Sequence, residues 1–305
     1  MKVEQAKQIV SKAIEQLSQA LERGHSETLR EYLAAMARFR RYSLHNIMLI
    51  ISQRRDATHV AGFQTWKQLG RCVKKGAKGI LILAPILAKR EDAQDNSTEE
   101  NEEGVVGFRA VYVFDVADTD GQPLPELGSA QGDPVGYTDR LKQFIAQRGI
   151  QLEYSDAIYP AQGQCSPGKI VLLPGQSAAE EFATLAHEAA HALMHGQERR
   201  SETTKRVRET EAEAVAFVVC EAIGLKAQGS ADYIHLYSGD KDTLAESLEH
   251  VQRASATILL AICDDWMNTS RGRCPRVRIQ GPGHRLTLGD DIQSKRNLHR
   301  TRRDS

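Results

Sequence analysis

The feature that most narrows what this chain can fold into is a pair of complementary helical segments in its second half. Ser177-Ala-Ala-Glu180 has the spacing of a capping box, in which the serine hydroxyl accepts from the Glu180 amide and the glutamate carboxylate accepts from the serine amide. The spacing predicts a helix from there to Gly196, a suitable stop, with Phe182, Leu185, Ala186, Ala189 and Leu193 as its apolar stripe. Within it, TLAHEAAHALMH (184–195) sets His187 and His191 four residues apart, hence one turn apart on a single face. RVRETEAEAVAFVVCEAIGL (206–225) predicts a second helix. Its Glu209, Ala212, Glu213 and Ala216 share a face whose small residues let another helix come close.

Two imidazoles placed like this suit one zinc ion, with Glu188 beside it, and the third ligand decides the class of site. A metzincin extension would need Gly three positions and His six positions after the second histidine. Met194 and Gln197 stand there instead. Glu209 follows His191 by 18 residues (209 − 191), room for a loop and an antiparallel return, and is the expected third ligand. Glu213, one turn on, is expected to accept the outward N–H of a ligand histidine and fix its tautomer. Such a centre would hold Zn2+, or another divalent ion such as Mn2+, and support hydrolysis in which the ion polarises a carbonyl and Glu188 is the general base. Tyr233, His235 and Tyr237 are candidate oxyanion donors. His195 shares the histidine face but, at the helix end, is expected to be a solvated cation. The competing reading makes Glu209, Glu211 and Glu213 a solvated helix face and the histidines surface residues.

The first half has a different character. Its first 54 residues read as helices, with Ile9, Ala13, Leu17 and Ala20 on one stripe and YLAAMARF (32–39) on another. GILILAPIL (79–87) and AVYVFDV (110–116) read as paired strands, separated by EDAQDNSTEENEEG (91–104), whose seven acids and no base predict a solvated loop. Between Arg38 and Lys78 there are ten Lys or Arg against the single Asp56, a local charge of 10 − 1 = +9. Phe39, Tyr42, Phe63 and Trp66 are interleaved with these cations, and Asn46 and Gln53 could meet base edges. Cations that track a backbone and rings on which bases stack are what single-stranded nucleic acid requires. Arg41, Tyr42, Asn46, Phe63, Trp66, Lys67, Arg71, Lys74, Lys75 and Lys78 are therefore the candidate contacts, with KKGAKG as a loop able to cradle phosphates. The plainer alternative is that Phe63 and Trp66 are core residues and the charges a solvated face.

ADTDGQPLPELGSAQGDPVG (117–136) has linker composition, and a boundary near residue 128 follows from it. The expected organisation is a nucleic-acid-binding domain at 1–128, a metal-binding domain at 129–287 with a helix near 137–148 and short strands at 151–154 and 169–173, and a basic, disordered tail at 288–305. The fold class is α+β: helices with a small sheet, then a mainly helical domain with a second small sheet. Five scattered cysteines without a CxxC leave histidine and carboxylate as the metal donors. No stretch approaches the roughly 18 apolar residues of a membrane span, and the N-terminus lacks a signal-peptide core, so a cytoplasmic protein is expected. The 40 basic and 40 acidic residues cancel overall, so the local +9 is a matter of placement rather than of composition.

YSLHNIMLIISQRRDATHVAGFQTWKQLGRCVKKGAKGILILAPI (42–86), then VYVFDV, HEAAHALMH and RETEAEAVAFVV, together resemble the ArdC family of plasmid-borne antirestriction proteins over about residues 5–262. The resemblance implies an N-terminal domain that binds single-stranded DNA, joined to a zincin-like metallopeptidase domain related to IrrE and ImmA. It also implies a role in protecting DNA that enters by conjugation from host type I restriction. On this resemblance the metal ligands fall on His187, His191 and Glu209, the catalytic carboxylate on Glu188, and the DNA-binding part around Tyr42, Asn46, Phe63, Trp66 and Lys74 to Lys78. Three functions are compatible with it: a metal-dependent antirestriction protein, a non-catalytic single-strand binder with a remnant metal site, and a regulatory metalloprotease that cleaves a DNA-bound repressor. A host restriction enzyme or another protein would be the further partner.

Overall fold

The computed structural model describes residues 2–89, 103–124, 134, 136–225, 241–263 and 277–278. The acidic segment up to residue 102, the centre of the linker, the tail, and Tyr233, His235 and Tyr237 lie outside them.

Three helices open the chain: α1 (Lys2–Glu22), α2 (Ser26–Arg38) and α3 (Leu44–Gln53). α1 buries Ala6, Val10, Ala13, Leu17 and Leu21 at spacings of three and four, so its stripe is turned by part of a residue from the one expected. Ile9 and Ala20 are only half-buried, at the margin of this stripe. α3 is capped by Ser43, which accepts from the Asn46 amide, and is apolar nearly all round, as befits a helix covered on several sides.

The expected strand pair forms. β3 (Ile80–Lys89) and β4 (Glu103–Asp115) run antiparallel with Ile80 opposite Val113, in a sheet ordered β1 (Val60–Ala61), β4, β3, β9 (Val277–Arg278). Glu103 and Gly104, read as loop, already belong to β4. Along β3 the side-chain amides of α3 act as a substitute strand. Asn46 donates to the Leu83 carbonyl and accepts from its N–H, both at 2.9 Å. Gln53 does the same at Leu81, at 2.8 and 2.9 Å. Backbone groups that would otherwise invite another strand are thereby satisfied. α4 (Phe63–Gln68) leads to β2 (Arg71–Val73), which pairs with β5 (Thr119–Gly121). Gly121 has φ +142°, and a Cβ there would stand 2.4 Å from the Gly70 carbonyl, so only glycine closes this ribbon.

Trp66 corrects an expectation. Read as an exposed ring, it is fully buried, and its indole N–H donates to the Phe114 carbonyl at 2.9 Å. A Trp66→Ala variant is expected to lose about 3–5 kcal/mol of stability, measured by denaturant unfolding, because it leaves both a cavity and an unpaired carbonyl.

In the second half, α5 (Tyr137–Gln147) precedes a three-stranded sheet in the order β6 (Gln151–Tyr154), β8 (Lys169–Leu172), β7 (Gly163–Ser166). β6 and β8 are parallel, and β7 returns antiparallel along β8 as the edge. α6 (Ala178–Met194), the short α7 (Gln197–Glu202), α8 (Lys205–Ala222) and α9 (Lys241–Ile262) complete the described elements. α8 lies between α6 and α9 and also packs on α2, while α9 reaches α1, α2 and α3. The buried apolar residues from Ala6 to Ile262 form one continuous core. The architecture is α+β, with helices predominant and small sheets at the periphery.

Candidate metal centre

The capping box forms as its spacing predicts: Ser177 Oγ accepts from the Glu180 amide and the Glu180 carboxylate accepts from the Ser177 amide. This fixes where α6 starts, and therefore which face His187 and His191 occupy. α8 runs beside α6 because Ala212 and Ala216 on one helix and Ala186, Ala189 and Ala190 on the other are small and buried. The close approach carries the side chain of Glu209 to the two histidines.

Nε2 of His187 and Nε2 of His191 are 3.1 Å apart, and Oε2 of Glu209 lies 3.5 and 3.4 Å from them. A tetrahedral ion with bonds of about 2.0–2.1 Å holds its ligand atoms roughly 3.3–3.4 Å apart. The three donors thus already have the spacing of three corners of such a polyhedron, and among the described residues they form the one His/Cys/Asp/Glu cluster that converges in this way. The electrostatics agree with a site built for a cation. Burial opposes a charge on His187, but the Glu209 and Glu213 carboxylates outweigh it and hold its pKa up at about 9. The bond from His187 in turn takes Glu209 down to about 2, while burial and the neighbouring His187 charge push His191 down to about 4. Glu213 reaches Nδ1 of His187 at 3.5 Å, the position expected of a group that orients a ligand histidine.

Glu188 points into the same cleft, which has a volume of about 710 Å3 and is also lined by Gln162, Gly163, Thr184, Phe217 and Leu225. It is 6% exposed, and burial raises the pKa of its carboxyl. A buried carboxylate whose pKa moves toward neutrality is a stronger base. The start of β7 comes so close that a Cβ on Gly163 would lie 2.7 Å from Glu188 Oε1. β7 and Gly163 carry no signal in the sequence, because a four-residue strand with one half-buried cysteine has no legible period.

His195 corrects another expectation. It is 3% exposed, sealed beneath α8, and bonded to His191 and Glu211, so it is no solvated helix-end cation. Glu211, read as part of an acidic face, is fully buried.

The candidate DNA contacts divide into two groups. Lys67 on α4 and Lys74, Lys75 and Lys78 in the loop after β2 are exposed, and Phe63, at the start of α4, is 53% exposed. The others are committed to the fold. Tyr42 donates to the Val60 carbonyl at 3.0 Å, Asn46 is bound to Leu83, Trp66 is core, and Arg71 ties β2 to Thr119 and Gly121. Arg41 is half-buried, with its Nε covered. Asn46 and Gln53 were expected to meet base edges; the sheet uses their amides instead.

Residues 3–114 match the N-terminal domain of anti-restriction factor ArdC. An uncharacterized protein of Bacillus anthracis is 23% identical over 83% of this chain and 50% of its own length, so the chain spans about half of that relative. Among solved structures, the Mn(II)-bound antirestriction protein ArdC from plasmid R388 covers 83% of this chain and 98% of its own, at 21% identity and a TM-score of 0.50. The metal-free form of the same protein covers 72% of this chain and 84% of its own, at 25% identity and a TM-score of 0.44. The likeness to ArdC thus rests on the domain formed by residues 3–114, which is of the ArdC N-terminal type.

Proposed function

We propose that this is an antirestriction protein of the ArdC type, in which residues 1–128 bind single-stranded DNA and residues 129–287 carry a zincin-like, metal-dependent hydrolytic centre. The observation that carries this reading is the convergence of His187 Nε2, His191 Nε2 and Glu209 Oε2 within bonding distance of one common point. These three side chains would hold Zn2+ or a related divalent ion. The Mn(II) bound by the R388 protein supports a metal of this charge. Such an ion supplies Lewis acidity at a carbonyl and makes water a nucleophile near neutral pH. With such an ion held there, Glu188 would serve as the general base, Glu213 would orient His187, and the cleft along β7 would receive the substrate.

The exposed lysines and Phe63 supply the nucleic-acid side of the proposal. Four cations meeting four phosphates give single-strand binding a log-log salt slope of about −2.8, so affinity should fall roughly 50-fold between 50 and 200 mM salt. Fluorescence anisotropy with a labelled oligonucleotide checks this. A protein with Lys67, Lys74, Lys75 and Lys78 all changed to Glu should show neither the affinity nor the slope.

The whole reading is tested by conjugative transfer into restricting and non-restricting recipients. Wild type should rescue transfer only where restriction operates, and His191→Ala should not. Equal protection by His191→Ala would assign the function to DNA binding alone.

A further inference from the structure

Beyond the cleft, a line of buried polar side chains leads from His191 toward the surface. His195 ends α6 one turn after His191 and is 3% exposed. Its Nδ1 lies 2.8 Å from Nδ1 of His191, and its Nε2 lies 2.9 Å from Oε2 of Glu211. The other oxygen of Glu211 accepts from Arg199, which also donates to Glu246 at 2.8 Å. Glu211 is fully buried and its charge is matched by Arg199.

The proton count along this line has one solution that leaves a ligand free. A carboxylate paired with arginine has no proton to give, so the bond between Glu211 and His195 uses the Nε2–H of His195. A neutral His195 then presents a lone pair at Nδ1, and the 2.8 Å contact must use the Nδ1–H of His191. His191 is left with its lone pair at Nε2, the atom that faces His187 Nε2 and Glu209 Oε2. Were the line reversed, with His195 donating from Nδ1, the His191 proton would sit on Nε2 and block the ligand position.

We propose that His195 and Glu211 are positioning residues of the metal centre, which together hold the His191 ring in place, keep its proton on Nδ1 and aim its Nε2 lone pair at the ion. The proposal rests on the reading of His187, His191 and Glu209 as ligands. It also accounts for a difference between the two histidines. His187 has a carboxylate, Glu213, at its outer nitrogen, whereas the outer nitrogen of His191 faces the protein interior, where a second imidazole carries the connection on to Glu211. Partners of ligand histidines at this remove are worth about 10–100-fold in metal affinity.

Substitutions at His195 separate positioning from packing. Asparagine places an acceptor where Nδ1 stands, glutamine places its terminal amide where Nε2 stands, and leucine fills the space with neither. With the full-length protein stripped of metal and Zn2+ titrated against a chromophoric chelator, His195→Asn should bind within a few-fold of wild type. His195→Gln and His195→Leu should bind 10–100-fold more weakly. Packing alone predicts the opposite order, because glutamine is nearer to histidine in volume. Affinities for all three within twofold of wild type, or glutamine outperforming asparagine, would overturn the proposal while leaving the ligands intact. A wild-type protein that binds no Zn2+ would instead overturn the ligand reading. A second readout needs neither metal nor variant: long-range proton–nitrogen NMR of the metal-free wild type should find the His191 proton on Nδ1, and finding it on Nε2 refutes the arrangement.

Discussion

Replacing His187 or Glu209 by alanine is expected to weaken Zn2+ binding by more than 100-fold, since loss of a direct ligand should exceed the roughly 10–100-fold attached to outer partners. The effect is read most cleanly through stability. An ion that binds only the folded chain stabilises it by RT ln(1 + [L]/Kd), which is about 4.1 kcal/mol when free metal is 1,000 times Kd. A 100-fold rise in Kd at the same metal concentration leaves about 1.4 kcal/mol. Thermal unfolding with and without Zn2+ should therefore show most of the metal-dependent increment disappearing. The metal-free transition should hardly move for Glu209→Ala, whose side chain is half exposed and whose partners are the two histidines. A site of two imidazoles and one carboxylate should also bind Zn2+ more tightly than Mn2+, following the general affinity order of divalent ions. If metal-dependent stabilisation survives in both variants, the ion sits elsewhere.

The parts of this centre that could be read from sequence are those fixed locally. A capping box is a matter of four consecutive residues, so Ser177 and Glu180 determine the start of α6 and thereby the shared face of His187 and His191. Glu209 could be found because helical spacing and adjacent alanines act within one element. What escaped depends on which second element covers a residue. His195 has the same four-residue spacing from His191 as His191 has from His187, and the spacing was visible. Its burial is set by α8, which brings Glu211 over the helix end. Trp66 and Asn46 show the same limit from the other side. Aromatic and amide residues among cations have the composition of a nucleic-acid surface, yet β4 takes the indole and β3 takes the amide for their own unpaired backbone groups. Composition does not distinguish a polar side chain that faces solvent from one that completes a sheet edge. The four exposed lysines are left as the candidate phosphate contacts, Lys74 also holding the Ala117 carbonyl and Asp120, and the expected salt slope is counted on these four alone.

Glu188→Gln is expected to abolish protection of conjugated DNA while leaving the metal and the fold in place. The substitution keeps the shape of the side chain, which matters where Gly163 leaves no room for a larger displacement. It also removes a carboxylate that burial already disfavours, so the variant should be at least as stable as the parent. The loss falls on proton transfer, to which a positioned base contributes typically 10²–10⁴-fold. Transfer frequencies into restricting and non-restricting hosts should then be compared alongside a Zn2+ titration of the purified variant. Wild-type affinity combined with lost protection would make Glu188 chemistry, rather than metal-dependent folding, the source of the phenotype. Full protection by Glu188→Gln would reduce the ion to a clasp between α6 and α8, which it would join through His187, His191 and Glu209. In that case the metal-ligand variants should fail only in so far as they unfold, and the exposed lysines should account for function on their own.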